Sequence, residues 1–346
     1  MNLPYLSKTD LDSKKVLLRA DLDVSLEKST SDVLRLEALI PTLKFLEERK
    51  CKTVLIGHMG RPEGKNEKDS LKGVCQKLSS LLGKEIKFIS EVISDLVKNE
   101  IDTLQEGEFL MLDNLRFDKR EEENDQVFAK SLSEYGEVFV NEAFATSHRG
   151  HASIVGIPKF IKGFLGLRFE QEVENLSKVL DNPERPVVAI ISGVKEDKTE
   201  YAKALVNIVD KVLAGGRLPE YLKNERSVRD FKDTDKLIIA NLIYDKEDIT
   251  LHSVERFKEE IKKAKTIVLA GVLGKYEDEG HRQATKEIFE AVANSDAFKI
   301  VGGGDSLVAI EMFNLTQKFN WVSVGGGAML DYLVKGSLPG IDALLH

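Results

Sequence analysis

Arginine and histidine recur in this chain where apolar runs end, and glycine triplets recur at other such ends. Arg19-Ala-Asp21-Leu-Asp23 closes the first run and is followed by Arg35. Gly57-His58-Met-Gly60-Arg61-Pro62 follows the second run, Asn114-Leu-Arg116-Phe117 the fourth, and Asn141 to His151, with His148 and Arg149, the fifth. Guanidinium forks converging on one edge of a sheet suit a small molecule that carries both phosphate and carboxylate. Any one of these residues is more often a solvated or salt-bridged loop group. Their recurrence at equivalent strand ends is what favours a site.

The second half carries a different chemistry. Ser192-Gly193-Val-Lys195-Glu-Asp-Lys198 follows one apolar run, Gly302-Gly303-Gly304-Asp305-Ser306 another, and Gly325-Gly326-Gly327-Ala328 a third. Each triplet precedes a helix-like segment, so backbone N–H groups and a helix N-terminus would face a bound anion. One triplet could be no more than a tight turn. Two at adjacent strand ends favour a polyphosphate site, with Asp305 placed to ligate a magnesium ion already held by nucleotide phosphates. The spacing of a dinucleotide fingerprint is absent, and Gly193–Thr199 ends like a phosphate-binding P-loop but lacks its second glycine.

These residues need strands to position them. Val16–Leu22, Thr53–Ile56, Ile86–Ile89, Phe109–Leu112 and Val138–Val140 form one series of strand candidates. Val187–Ile191, Lys211–Leu213, Leu237–Ala240, Thr266–Leu269, Phe298–Val301 and Trp321–Val324 form a second. Amphipathic segments alternate with them, among them Ala38–Glu48, Ser70–Leu82, Glu170–Leu180, Val254–Ala264 and Lys286–Ala293. The alternation predicts an α/β protein of two parallel-sheet, three-layer, Rossmann-like domains. Ligands then sit outside the carboxyl ends of the strands. The border falls near Gly163–Arg168, giving domains of 1–165 and 166–334. The charge run Lys119–Asp125 reads as a solvated loop and helix start.

Composition narrows the function classes. A length of 346 residues exceeds one ordinary core, and 42% hydrophobic with 31% charged residues is ordinary for a globular chain. Fifty basic residues against 58 acidic ones, net −8, argue against a general nucleic-acid partner. Two cysteines, Cys51 and Cys75, make no disulfide scaffold. With no secretory signal pattern and no bilayer-length apolar run, the expected setting is cytoplasmic, with no membrane partner.

Lys15–Leu26 (KVLLRADLDVSL), His58–Pro62 (HMGRP), Leu112–Phe117 (LDNLRF) and Phe139–Ser153 (FVNEAFATSHRGHAS) resemble the phosphoglycerate kinase signatures, in family order. The resemblance implies that Asp21, Arg35, His58, Arg61, Arg116 and Arg149 bind 3-phosphoglycerate, with Arg35 nearest the reacting carboxyl group. Asp23 stands where the family has Asn, a carboxylate beside an anionic substrate, and Ser25 replaces a proline. In the second half the resemblance implies nucleotide contacts from Gly193, Lys195, Lys198, Gly303, Gly304, Asp305 and Ser306. Glu277 takes the ribose. Lys195 meets the transferring phosphoryl group with help from Lys198, and the Gly304 and Gly327 turns stabilise the migrating charge. Arg35, Lys195, Gly304 and Gly327 are thus the expected catalytic groups, with Mg2+ on Asp305.

The implied activity is reversible phosphoryl transfer between ATP and the carboxylate of 3-phosphoglycerate, a glycolytic step giving ADP and 1,3-bisphosphoglycerate. The nucleophile is already ionised at neutral pH, so no general base is required. The resemblance also implies a monomer and a C-terminal segment, 335–346, that returns to the first domain; catalytic groups supplied from both domains predict closure about a hinge at Arg168–Val179. Departures gather in the nucleotide half. Lys195 and Lys198 are three apart where the family has four, Ala214-Gly-Gly-Arg217 and Leu269-Ala-Gly-Val272 replace family signatures, Asp248-Ile-Thr lacks the usual Gly-Pro-Lys, and Leu218–Asp248 is short. A second reading therefore stands beside the first: a catalytically weakened anion-binding or regulatory protein of the same family.

Overall fold

The computed structural model describes residues 3–25, 30–224 and 235–345. Leu26 of the first signature and residues 225–234 of the short stretch lie outside them.

Six strands make the first sheet: β1 (Lys15–Arg19), β2 (Lys52–Ile56), β3 (Ile86–Ile89), β4 (Phe109–Leu112), β5 (Val138–Asn141) and β6 (Gly163–Leu165). Their order is β3-β4-β2-β1-β5-β6 and every neighbouring pair is parallel. The second sheet holds β7 (Val187–Ile191), β8 (Lys211–Ala214), β9 (Leu237–Ile239), β10 (Thr266–Ala270), β11 (Phe298–Gly302) and β12 (Trp321–Ser323). It runs β12-β11-β10-β7-β8-β9, again wholly parallel. The central strands are short continuous apolar runs because helices cover both faces; β7 and β10 are buried at every position.

Sequence patterning located every strand but β6. Gly-Phe-Leu is too short to show a period, and the predicted domain border fell on it. Its place is fixed by pairing with β5 at the sheet edge and by a bridge from Leu165 to Tyr5. The expected helix Ala38–Glu48 begins instead at Ile40, with a separate helix, Thr30–Glu37, before it.

The chain forms two compact units, Met1–Val173 with Ser337–His346, and Glu174–Gly336. Sequence reading set the borders at 165/166 and 334/335; here they fall at 173/174 and 336/337. The first of these lies inside the helix Leu167–Leu180. In the first unit the C-terminal segment is tied by Gly340 N–H donating to Ser147 O at 2.9 Å.

The helix Leu167–Leu180 starts on a buried carboxylate. Glu142, just past β5, accepts from Arg168 N–H and Phe169 N–H at 3.0 Å each and from the Thr42 hydroxyl. Leu167 N–H donates to Thr42 Oγ1 at 3.2 Å, so three of the helix's free amides find partners in one pair of side chains. Glu142→Gln puts an NH2 where an acceptor is needed and strands a buried amide. The expected loss is about 1–3 kcal/mol in denaturant unfolding. A loss within error would show that the cap contributes nothing.

Both cysteines lie in the first unit. Cys51 and Cys75 are buried, donate to Leu11 O at 3.2 Å and Ile86 O at 3.3 Å, and have thiols that burial pushes up to about 11. Among the described residues no helix is long and apolar enough to cross a membrane.

Candidate functional site

At the carboxyl edge of the first sheet a buried polar chain underlies the basic residues. Arg19 ends β1 with no exposure; its Nε donates to Ser153 Oγ at 2.8 Å and its Nη2 to His58 Nδ1 at 2.9 Å. Ser153 in turn donates to Glu121, from Oγ at 2.6 Å and from N–H at 2.9 Å. Glu121 is fully buried. The expectation that Lys119–Asp125 is wholly solvated is therefore corrected at Glu121, whose burial is matched by Arg19 and Ser153. The helix start was read rightly, since Asp125 caps Gln126–Ser133.

Burial, then the charges of Arg19 and Arg116, hold His58 well below the usual imidazole range. It is neutral, accepts at Nδ1 and carries its proton on Nε2. That nitrogen lies 3.8 Å from Asp23 Oδ2. Asp23 also accepts from Gly60 N–H at 2.9 Å, and its carbonyl accepts from Arg35 Nη1. The aspartate that replaces the expected Asn is thus held by the Gly60 amide, with the His58 imidazole nearby but beyond hydrogen-bond reach. His151, nearby, is pushed down to about 3 by burial and by Arg116.

Arg116 is oriented by a 3-10 turn, Leu115–Phe117, capped by Asn114. Asn114 Nδ2 donates to Met59 O at 2.7 Å and to Asp69 O at 2.9 Å, which fixes the turn after β2 against the turn after β4. Arg116 Nη1 donates to Gly60 O at 2.6 Å and its Nε lies 3.1 Å from Glu122 Oε1, while its Nη2 is buried without a hydrogen-bond partner. Asp21 is also buried, with neither carboxylate oxygen hydrogen-bonded, and Arg35 Nε stands 3.9 Å from its Oδ2. Burial pushes the Asp21 carboxyl up. Arg149 is half-buried and Arg61 exposed. A buried Arg116 Nη2 donor beside a neutral histidine, with the Arg149 charge acting on both, suits a small polyanion.

Sequence reasoning named Arg19 and Asn114 within their motifs but not as site residues, and it missed Glu121. An arginine inside an otherwise apolar strand run was the available signal for Arg19.

In the second unit the glycine turns converge at the other sheet's carboxyl edge. Gly271, after β10, has φ +103, and a Cβ there would lie 1.8 Å from Ser192 O. Gly303 caps Gly304–Met312 and Gly325 caps Gly326–Lys335. A Cβ on Gly326 would lie 2.5 Å from Gly303 Cα, so the two helix N-termini stand side by side and only glycine permits it. Gly304 and Gly327 are the first and second residues of these helices. Ser306 is fully buried, and its hydroxyl accepts from Gly271 N–H at 2.8 Å. It holds the turn after β10 against the helix after β11.

The lysine pair divides. Lys198, half-buried, donates to Ser192 O at 2.6 Å, and burial pulls its pKa down against the pull of Asp305. Lys195 is exposed, with no side-chain hydrogen bond or ion pair among the described residues. Beside them lies a cavity of about 350 Å³ lined by Gly193, Val272, Tyr276, Glu277 and Asp305, with Lys246 and Glu247 on a neighbouring loop. Asp305 is an exposed hard oxygen donor, and among the described residues no cluster of three or more metal-ligating side chains occurs. One carboxylate without a protein cage fits Mg2+ carried in on nucleotide phosphates.

The family model described as phosphoglycerate kinase matches residues 6–246 and 220–336. A phosphoglycerate kinase of Dictyoglomus turgidum is 36% identical over 381 aligned positions, covering 97% of this chain and 96% of that protein. One from Borrelia garinii subsp. bavariensis is 38% identical, covering 96% of each. Among solved structures, phosphoglycerate kinase from Coxiella burnetii superposes with a TM-score of 0.83 at 30% identity, covering 99% of both chains. That from Pyrococcus horikoshii OT3 gives 0.85 at 26% identity, covering 99% of this chain and 98% of the other. The 381 aligned positions exceed the 346 residues present, so this chain carries deletions. The two family-model matches overlap at 220–246, within the stretch that sequence reading found short.

Proposed function

The chain belongs to the phosphoglycerate kinase family, and we propose that the first unit's sheet edge takes 3-phosphoglycerate and the second unit's sheet edge takes the nucleotide. The protein is a kinase that transfers phosphoryl reversibly between ATP and the carboxylate of 3-phosphoglycerate, in glycolysis. The observation that carries the site reading is the gathering of Arg19, Arg116 and Arg149 around a neutral His58 in one unit, and the two adjoining helix N-termini in the other.

In this reading Arg35, Arg61, Arg116 and Arg149 hold the substrate's phosphate and carboxylate, and His58 donates from Nε2. Asp21 and Asp23 present acceptors to its hydroxyl and to the arginines. Lys195 and the amides of Gly304 and Gly327 neutralise the equatorial oxygens of the transferring group; Lys198, Gly193, Gly303 and Ser306 shape the turns that hold the nucleotide, with Glu277 at its ribose. Asp305 would hold Mg2+, which screens charge between nucleotide phosphates. A carboxylate nucleophile leaves catalysis to alignment and charge stabilisation. Closure about Arg168–Val179, monomeric state and cytoplasmic setting belong to the same proposal.

Coupled turnover of ATP with 3-phosphoglycerate tests it. Solution scattering should show a more compact particle with both ligands than with neither. If 3-phosphoglycerate binds but no nucleotide gives turnover, the regulatory reading replaces this one; identical scattering profiles would remove the hinge.

A further inference from the structure

Two loops form the outer wall of the cavity in the second unit. One runs between Leu242 and Ile249, which pair in an antiparallel bridge, and supplies Lys246 and Glu247. The other follows β10 and supplies Gly274, Lys275, Tyr276 and Glu277. Neither belongs to a sheet, so their separation depends on what ties them together. Lys275 N–H donates to Glu247 O at 2.8 Å, and Ala284 N–H to Asp248 Oδ2 at 3.2 Å. Arg282 holds the second loop's own shape, with Nε on Tyr276 O at 2.6 Å and Nη2 on Glu277 O at 3.0 Å.

Lys246 also ties the first loop to Glu220 at 2.8 Å, and a further link between the two loops is a histidine between two carboxylates. His281 Nδ1 lies 2.8 Å from Asp278 Oδ2 on its own loop, and Nε2 lies 2.9 Å from Asp245 Oδ2 on the other. Ionised carboxylates only accept, so both ring nitrogens must donate, and a ring that donates twice is the imidazolium. The bridge between the loops therefore exists in full only while His281 is charged. His281 does not line the cavity; it acts through Asp245 on the loop bearing Lys246 and Glu247.

We propose that His281 is a charge-dependent clasp that sets the position of the nucleotide pocket's outer wall, and is a positioning residue for nucleotide binding. The inference rests on the reading of this cavity as the nucleotide site. The groups that face the ring are Asp245 and Asp278 in direct contact and Asp248 behind them; Lys275 acts on Asp278, and Arg282 pairs loosely with Glu279 at 3.9 Å. The two carboxylates raise the imidazole above its ordinary 6.5. The sign follows: the clasp is complete below that value and is lost as pH rises through the raised one, so nucleotide affinity falls on the alkaline side.

The test is ADP affinity by calorimetry between about pH 6 and about pH 9 for the wild type, His281→Ala, His281→Arg and Asp245→Ala. Across that range the wild-type Kd should rise about fivefold more than that of His281→Ala, which starts weak and stays flat. His281→Arg keeps a fixed charge and should bind tightly with little pH dependence. In turnover, His281→Ala should raise the nucleotide KM while kcat holds. Asp245→Ala, which removes the cross-loop acceptor and keeps the second loop's own contact, repeats the effect if His281→Ala folds poorly. Wild-type affinity in His281→Ala and Asp245→Ala near pH 6, or an unchanged pH profile in both, overturns the clasp. Failure of the wild type to bind ADP at any pH overturns the nucleotide-site reading itself, and the clasp with it.

Discussion

Lys195→Ala lowers kcat by about 10²- to 10³-fold, roughly 2.7–4 kcal/mol of barrier, with the melting temperature unchanged. The side chain is exposed and has no side-chain hydrogen bond or ion pair among the described residues, so its removal strands nothing in the resting protein. Its charge is available for the transferring phosphoryl group, where an unscreened cation has its greatest effect. Lys198→Ala should behave differently. Its ammonium is committed to Ser192 O and packs against the turns at Gly193 and Gly271, so thermal stability and turnover fall together. The comparison decides what a three-residue spacing does to the lysine pair. If Lys195→Ala turns over like the wild type, the role passes to Lys198 and the assignment made here is wrong.

Arg19→Leu destabilises the first unit by about 3–5 kcal/mol in denaturant unfolding. Leucine fills much of the space, but Glu121 then keeps a fully buried carboxyl without its cation, and His58 Nδ1 loses its donor. Removing one partner of a buried pair costs more than removing both, so Arg19→Leu combined with Glu121→Gln should recover part of the loss. A single-variant loss under about 1 kcal/mol would mean the chain from Glu121 to His58 is not held by Arg19. Because His58 takes its tautomer from this arginine, the recovered double variant should still bind 3-phosphoglycerate more weakly than the wild type.

Strand position and sheet direction were legible because parallel strands buried on both faces must be apolar throughout, and eleven of the twelve strands stand out that way. Gly163–Leu165 did not, since an edge strand of three residues is specified by its neighbour. The exposed and half-exposed site residues were readable as polar types at strand ends. What supports them was not. Glu121 sits in a run of charges that looks solvated, and Asn114 looks like a turn former; their roles come from groups distant in sequence, at Ser153 and at Met59 and Asp69. The division between Lys195 and Lys198 was likewise hidden, because spacing alone cannot say which ammonium a carbonyl will capture.

The two thiols of the first unit, both shielded and both reluctant to ionise, have a practical corollary. Thiolate is the species that maleimide and disulfide reagents attack, and at neutral pH these sulfurs supply almost none. A fluorophore or spin label attached through a newly introduced surface cysteine in each unit would therefore react without background from the native pair, and neither Cys51 nor Cys75 has to be removed first.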